Sequence, residues 1–254
     1  MLGTPENPIG SQYIPALAKA GYDYAELPLA QMMELSDSEF EGLLQSLSEA
    51  GLMCCCCNNF FPATVRLTGE QTDAKKIEAY IKNAVKRASR LGAGYIVFGS
   101  SGAKNVPEGF SKTKAFEQIV EVLRIAGDYT EQAGITIVIE PLNQLESNII
   151  LNLDDGMELL KSVNKPSVQL LVDYYHFEKE HETQETLQKV MPYIHHVHFA
   201  EPDGRVFPQE KKADYATFFD TLKKCGYSGG VSIEAYSPQP EKEIESAVFL
   251  REYF

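Results

Sequence analysis

The sequence predicts one α/β domain over residues 1–254, folded as a (β/α)8 TIM barrel whose first strand is absent or very short. Three observations carry that expectation. Short β-branched or apolar runs alternate along the chain with longer stretches whose apolar residues recur at helical spacing. One phrase marks the passage from helix to strand five times: KAGYDYAELPL, EAGLMCCCCN, RLGAGYIVFG, QAGITIVIEP and KKCGYSGGVSIEA. The chemically active side chains stand at the carboxyl ends of several strands, where a barrel assembles its site, instead of at one crevice of an open sheet.

Taken in order, residues Met1 to Gly10 hold two prolines and two glycines and read as a loop before a helix over about Ser11 to Ala20. Gly21, Gly51, Gly92 and Gly134 suit the left-handed position that ends a helix, and their spacing of 30, 41 and 42 residues is that of repeated βα units. Ser36 with Glu39 forms a capping box ahead of an apolar face of Phe40, Leu43, Leu44 and Leu47. A longer stripe runs from Ile77 to Leu91 after Asp73, and another begins at Phe116 after Ser111. Further helices are expected over Asp155 to Val163, Thr183 to Val190, Tyr215 to Lys224 and Glu241 to Tyr253. The strands centre near Tyr24, Met53, Ile96, Ile137, Leu170, Val197 and Val231, which makes seven. Met1 to Gly3 are expected to fill part of the place of an opening strand; a natural chain beginning upstream would explain the deficit. The Gly-rich GSSGAKNVPEG lacks the spacing of a phosphate-binding loop and reads as a long loop over the site.

The stretch Ile135 to Asn143, ITIVIEPLN, is apolar on both faces until it delivers Glu140, as a buried parallel strand would. VQLLVDYYH presents Asp173 and His176, HHVHFAEP presents His198 and Glu201, and GVSIEAY presents Glu234. Any one of these acids could be a solvated loop charge or a helix cap, but four successive strand tips offering Glu, Asp, His and Glu suit a single divalent cation. Three carboxylates to one histidine favour Mn²⁺, Mg²⁺ or Co²⁺, with Zn²⁺ admitted, over a thiolate-held structural zinc. Strand parity places His196 on the same face as His198, as a neighbour of the ligands or a substrate contact, and His195 on the other face with Val197. His181, among charged residues, reads as solvated. The four consecutive cysteines Cys54 to Cys57 read as small apolar strand residues, with Cys54 and Cys56 on one side and Cys55 and Cys57 on the other.

Lys and Arg number 23 against 36 Asp and Glu, a formal charge of −13 that disfavours nucleic acid and anionic membranes as partners. With no cationic leader before an apolar run and no apolar stretch of about 20 residues, the chain reads as cytoplasmic and independent of membranes. A small-molecule sugar or keto-acid substrate is expected, and a homo-oligomer is left open.

The motifs EPLNQLESN, VDYYH, HVHFAEPDGR and VSIEA resemble those of sugar isomerases and epimerases with a xylose-isomerase-like barrel, above all ketose 3-epimerases and hydroxypyruvate-isomerase-like proteins. That resemblance implies that Glu140, Asp173, His198 and Glu234 bind one divalent metal ion. It also implies that Glu146, His176 and Arg205 contact substrate. Two departures are visible: Gln144 stands where many relatives carry arginine, and the opening strand is missing or cut to Met1 to Gly3.

The chemistry expected is proton transfer next to a carbonyl through an enediolate, with Glu140 and Glu234 as the acid/base pair on opposite faces of the substrate carbon. His176 could instead cap a helix. Two other readings compete: a keto-inositol type of lyase or dehydratase on the same barrel, and a non-catalytic sugar-binding barrel. A trinuclear endonuclease centre is disfavoured by only five histidines and the acidic charge.

Overall fold

The computed structural model describes residues 2–4, 6–237 and 239–253. In chain order it runs α1 (Ile14–Ala20), β1 (Tyr24–Pro28), α2 (Leu29–Met32), α3 (Asp37–Ala50), β2 (Met53–Asn58), α4 (Ala74–Leu91) and β3 (Tyr95–Phe98). There follow α5 (Ser101–Lys104), α6 (Lys112–Ala133), β4 (Thr136–Ile139), α7 (Leu153–Val163), β5 (Val168–Asp173), α8 (Tyr174–Lys179) and α9 (Gln184–Val190). The chain closes with β6 (Ile194–Phe199), α10 (Ala213–Lys224), β7 (Val231–Ile233) and α11 (Pro240–Ser246). The seven strands form one sheet in sequence order, each parallel to the next, giving a near-closed barrel.

The local signals work as the sequence suggests. Ser36 and Glu39 exchange the two bonds of a capping box, Asp73 caps α4, Ser111 caps α6 and Thr183 caps α9, whereas α7 starts at Leu153, two residues before the expected Asp155, with Asn152 as its cap. Gly21, Gly51, Gly92 and Gly134 each take the left-handed conformation that turns a helix end toward the next strand. Some elements differ from expectation. The stretch Glu241 to Tyr253 is divided, with α11 giving way to a 3-10 turn from Ala247 to Tyr253. The long loop after β3 contains α5, and two short helices, α2 and α8, begin directly at strand ends.

Alternation along the strands builds two cores. Ile96, Phe98, Ile137, Ile139, Val172 and Phe199 face outward beneath the helices, while Cys56, Val97, Val138 and Leu171 meet inside the barrel with Tyr95 beside them. The parity expected for the cysteines fails. The β1–β2 register jumps from Ala25 opposite Cys54 to Glu26 opposite Cys56, so a bulge at Cys55 shifts the alternation. Cys54 and Cys57 therefore share the outer core, and Cys56 alone enters the barrel.

No strand precedes β1 among the described residues, and no ladder joins β7 to β1; Met1 itself lies outside the described residues. Side chains span the seam instead. Ser232 Oγ on β7 donates to Tyr24 Oη on β1 at 3.1 Å, and Glu26 reaches His196 on β6 at 2.9 Å. Nearby, Tyr22 Oη donates to the carbonyl of Ile244, and Leu2 packs against Ala200, Phe207 and Ala235 beyond the ends of β6 and β7. Gly230 enters β7 so close to this seam that an added Cβ would lie 2.7 Å from Tyr24 Oη and 3.1 Å from its ring. Gly230→Ala is expected to cost about 1–3 kcal/mol by forcing the ring off its position, read as a lower urea midpoint at unchanged m value.

Candidate metal centre

Past the inner apolar core, the next inward-facing residue on strand after strand is polar. Two residues beyond Val138 stands Glu140, beyond Leu171 stands Asp173, beyond His196 stands His198, beyond Ser232 stands Glu234, and beyond Cys56 stands Asn58. Tyr24 and Glu26 continue the series on β1. The tips are held by backbone bonds that prolong the sheet: Glu140 N–H donates to Phe98 O at 3.2 Å and Glu234 N–H to Phe199 O at 3.1 Å. Gly99 leaves room for the Glu140 carboxylate, since a Cβ there would fall 1.9 Å from Glu140 Oε2.

Glu140, Asp173, His198 and Glu234 each offer a ligand atom, and those atoms lie within 4.8 Å of one another. His198 is the hub. Its Nδ1 lies 3.0 Å from Glu140 Oε1 and 3.3 Å from Glu234 Oε2, and its Nε2 lies 2.8 Å from Glu26 Oε1. Arg205, on the loop after β6, bonds Asp173 Oδ2 at 3.2 Å and Glu234 Oε2 at 2.5 Å through Nη2, and both Glu146 oxygens through Nη1. Its guanidinium lies over the Tyr175 ring. Asn58 Nδ2 holds the other oxygen of Glu234 at 3.0 Å.

The sequence-predicted residues are thus gathered at one end of the barrel, with different surroundings. His176 Nδ1 accepts the Asn143 backbone N–H at 3.0 Å, which puts its proton on Nε2; that atom is buried, 3.6 Å from Asp173 Oδ2, with no hydrogen-bond partner among the described residues. His196 turns its Nε2 to Glu26 and to Ser232 Oγ. Glu201 lies apart from the cluster, paired with Lys212 and Tyr215. His195 is half-buried and His181 exposed, while Gln144 is exposed with its backbone N–H bonded to Glu180.

Two residues escaped the sequence reading. Glu26 stands two residues before a proline at the end of a short strand, AELP, much as Glu140 stands directly before Pro141 in VIEP, and that partial echo was the available signal. Lys104 is fully buried, its Nζ bonded to the Glu140 carbonyl at 3.2 Å and 5.6 Å from the Phe98 ring centre. Nothing in a glycine-rich loop singles it out.

Five carboxylates, Glu26, Glu140, Glu146, Asp173 and Glu234, face Arg205, Lys104 and His198; burial opposes charge on Glu26, but His198 holds it well below the usual carboxylate range. Burial raises Asp173 to about 7 despite Arg205. Burial and the neighbouring Glu234 raise Glu140. Glu234, although buried, is held down to about 2 by His198 and Arg205. Burial disfavours charge on His198, but Glu26, Glu234 and Glu140 outweigh it and raise its pKa well above the usual value. Burial lowers Lys104 to about 8 and, with Arg205, His176 to about 2. A donor set of three carboxylates and one imidazole, with charge left over, fits a divalent cation. A cavity of about 600 Å³ opens beside it, lined in part by Glu140, Glu146, Arg205 and Glu234.

Residues 14–253 match the family model described as xylose isomerase-like TIM barrel. The chain belongs to that family. Among curated relatives, the L-ribulose 3-epimerase of Methylomonas sp. (strain DH-1) is 26% identical over 89% of this chain and 78% of its own length. The D-psicose 3-epimerase of Agrobacterium fabrum is 23% identical over 88% of this chain and 78% of its own. The crystal structure of D-allulose 3-epimerase from Methylomonas sp. in complex with D-allulose superposes with a TM-score of 0.84 at 21% identity, covering 96% of this chain and 91% of that one. At that identity the likeness speaks for the barrel alone.

Two outcomes test the electrostatics. Gly99→Ala should leave the fold intact, because the group displaced is the end of a flexible side chain, but abolish the rise in melting temperature on adding Mn²⁺; an undiminished rise would place Glu140 outside the ligand set. Second, the Asp173 carboxyl has its folded pKa raised above the unfolded value of 3.8. The unfolded chain therefore loses this proton first, and Asp173 costs the fold stability increasingly from about pH 4 to about pH 7. In the presence of a chelator, Asp173→Asn should gain on the parent across that window by a few kcal/mol, read from urea denaturation at each pH.

Proposed function

We propose that this barrel is a divalent-metal-dependent isomerase or epimerase that moves a proton next to the carbonyl of a small ketose or keto acid. The observation that carries the reading is the geometry of the strand tips: two glutamates from β-strand ends three positions apart in the sheet, brought to a common ring nitrogen of His198 at the edge of a sugar-sized cavity. Membership of the family and the likeness to curated ketose 3-epimerases support the same reaction class.

In this reading Glu140, Asp173, His198 and Glu234 hold one divalent ion, with Mn²⁺, Mg²⁺ or Co²⁺ best matched to the oxygen-rich set. When bound, the ion polarises the substrate carbonyl and stabilises negative charge on the neighbouring oxygens. One of Glu140 and Glu234 removes the proton from the carbon beside the carbonyl, the C–H electron pair passing toward the carbonyl oxygen to give an enediolate. The other glutamate returns a proton from the opposite face, and the carbon is inverted. Return of the proton to the neighbouring carbon would give aldose–ketose isomerisation from the same intermediate. His176 offers its Nε2–H to a substrate oxygen. Arg205 and Glu146, already paired, present a charged edge that binds hydroxyl groups. Lys104, held against the Glu140 carbonyl, fixes the peptide from which that carboxylate projects.

Turnover of a ketose in D₂O with Mn²⁺, followed by proton NMR, should place solvent deuterium at the inverted carbon with no other change of mass. Glu140→Gln and Glu234→Gln should each lower the rate by about 10²–10⁴-fold, far more than they weaken metal binding. One of the two should still wash deuterium into a substrate of one configuration without inverting it. Hydrogen carried intramolecularly, with no deuterium gained, would replace the proton-transfer mechanism by a hydride shift.

A further inference from the structure

Glu26 is the one carboxylate of the cluster that belongs neither to the four-residue donor set nor to the Arg205 pairs, yet it is buried against both histidines of β6. Its two oxygens are divided between them: Oε1 lies 2.8 Å from His198 Nε2 and Oε2 lies 2.9 Å from His196 Nε2. We propose that Glu26 is a positioning residue for the metal centre, fixing the His198 ring and its tautomer so that Nδ1 presents its lone pair to the cation. This rests on the metal reading above and adds to it a requirement on β1.

The inference follows from the two nitrogens of an imidazole. His198 Nδ1 faces Glu140 and Glu234, and Nε2 faces Glu26. Nδ1 can ligate only when deprotonated, so the proton of a ligating neutral ring must sit on Nε2. Glu26 is the acceptor within hydrogen-bond distance of that atom. A carboxylate behind a ligating histidine locks the orientation of the ring and makes its free nitrogen more basic. Geometry adds a second consequence. β1 and β7 share no ladder among the described residues, and Glu26 crosses that seam from β1 to β6. The ring that ligates the cation is therefore braced from the far side of the open seam.

Glu26, His196 and His198 could alternatively be read as a second cation site, because their ligand atoms are close together. The contacts favour hydrogen bonds. Each Glu26 oxygen meets one ring nitrogen at an ordinary N–H···O distance, and His196 Nε2 also lies 3.0 Å from Ser232 Oγ, which itself donates to Tyr24.

The test uses Mn²⁺ titration by calorimetry on the full chain, together with nitrogen-15 correlation spectra of histidine-labelled protein loaded with Mg²⁺. The parent should bind one Mn²⁺ per chain, with a slowly exchanging proton on His198 Nε2. Glu26→Ala should weaken Mn²⁺ about 10–100-fold and lose that protected proton. Glu26→Gln, with a single acceptor that two rings contend for, should fall between, and it carries the test if Glu26→Ala does not fold. Ser232→Ala, which removes contacts of His196 and Tyr24 but leaves Glu26 and His198 in place, should bind Mn²⁺ as the parent does. Unchanged affinity in a folded Glu26 variant, two Mn²⁺ per chain in the parent, or an unprotonated His198 Nε2 would each overturn the proposal. A parent that binds no divalent ion would overturn the metal reading itself, a result distinct from all of these.

Discussion

Five carboxylates crowd the mouth of this barrel with too few cations to balance them, and much of the surrounding structure responds to that charge. Buried ions are tolerated only when paired and hydrogen-bonded. Here Arg205 serves three acids at once, His198 is wedged between three more contacts, and Lys104 is buried beneath Glu140 with a main-chain carbonyl as its bond partner. Similar carboxylates are driven apart in proton affinity. Glu140 is raised by burial and by Glu234, whereas Glu234 is lowered by His198 and by Arg205, with which it forms an ion pair. A cation of two charges would relieve the same imbalance, which supports the proposed metal site.

The barrel supplies the rigidity that such a cluster needs. Outward residues of the strands pack under helices, inward ones form a small apolar layer, and beyond it Glu26, Asn58, Glu140 and Glu234 open on the cavity. Function is thus placed one step of the pleat above a packed floor, on elements whose backbone ladders continue to the functional residue itself. Loops add Glu146 and Arg205 around this frame, and α8 adds His176. Arg205 sits at a positive φ of 51°, and its carbonyl accepts Tyr236 N–H, a backbone bond that ties this loop to the segment after β7.

A seven-stranded barrel has two strand edges to manage. Tyr24, Glu26, His196 and Ser232 form a polar bridge where a further ladder would otherwise run, and Gly230 leaves the space that Tyr24 requires. The seam and the candidate metal cluster share Glu26 and the β6 histidines, so closure of the fold and orientation of the cluster are one arrangement.

By itself the sequence determined the alternation of helices and strands, the seven strand centres, the helix caps and the four acidic or imidazole tips. Each of these is local: caps and left-handed glycines lie within a few residues of the element they end, and ITIVIEPLN announces a buried strand ending in an acid without reference to any partner. Tertiary structure decided the rest. A bulge at Cys55 overturned the simple alternation of the cysteines, because register is set by the neighbouring strand. The role of Glu26 depends on β6, some 170 positions away in the chain, coming round to face β1. Lys104 is a surface residue by every local measure, and only the packing of α5 against the Glu140 carbonyl buries it. Period and punctuation are written along the chain, whereas burial, register and the pairing of charges exist only once the strands are side by side.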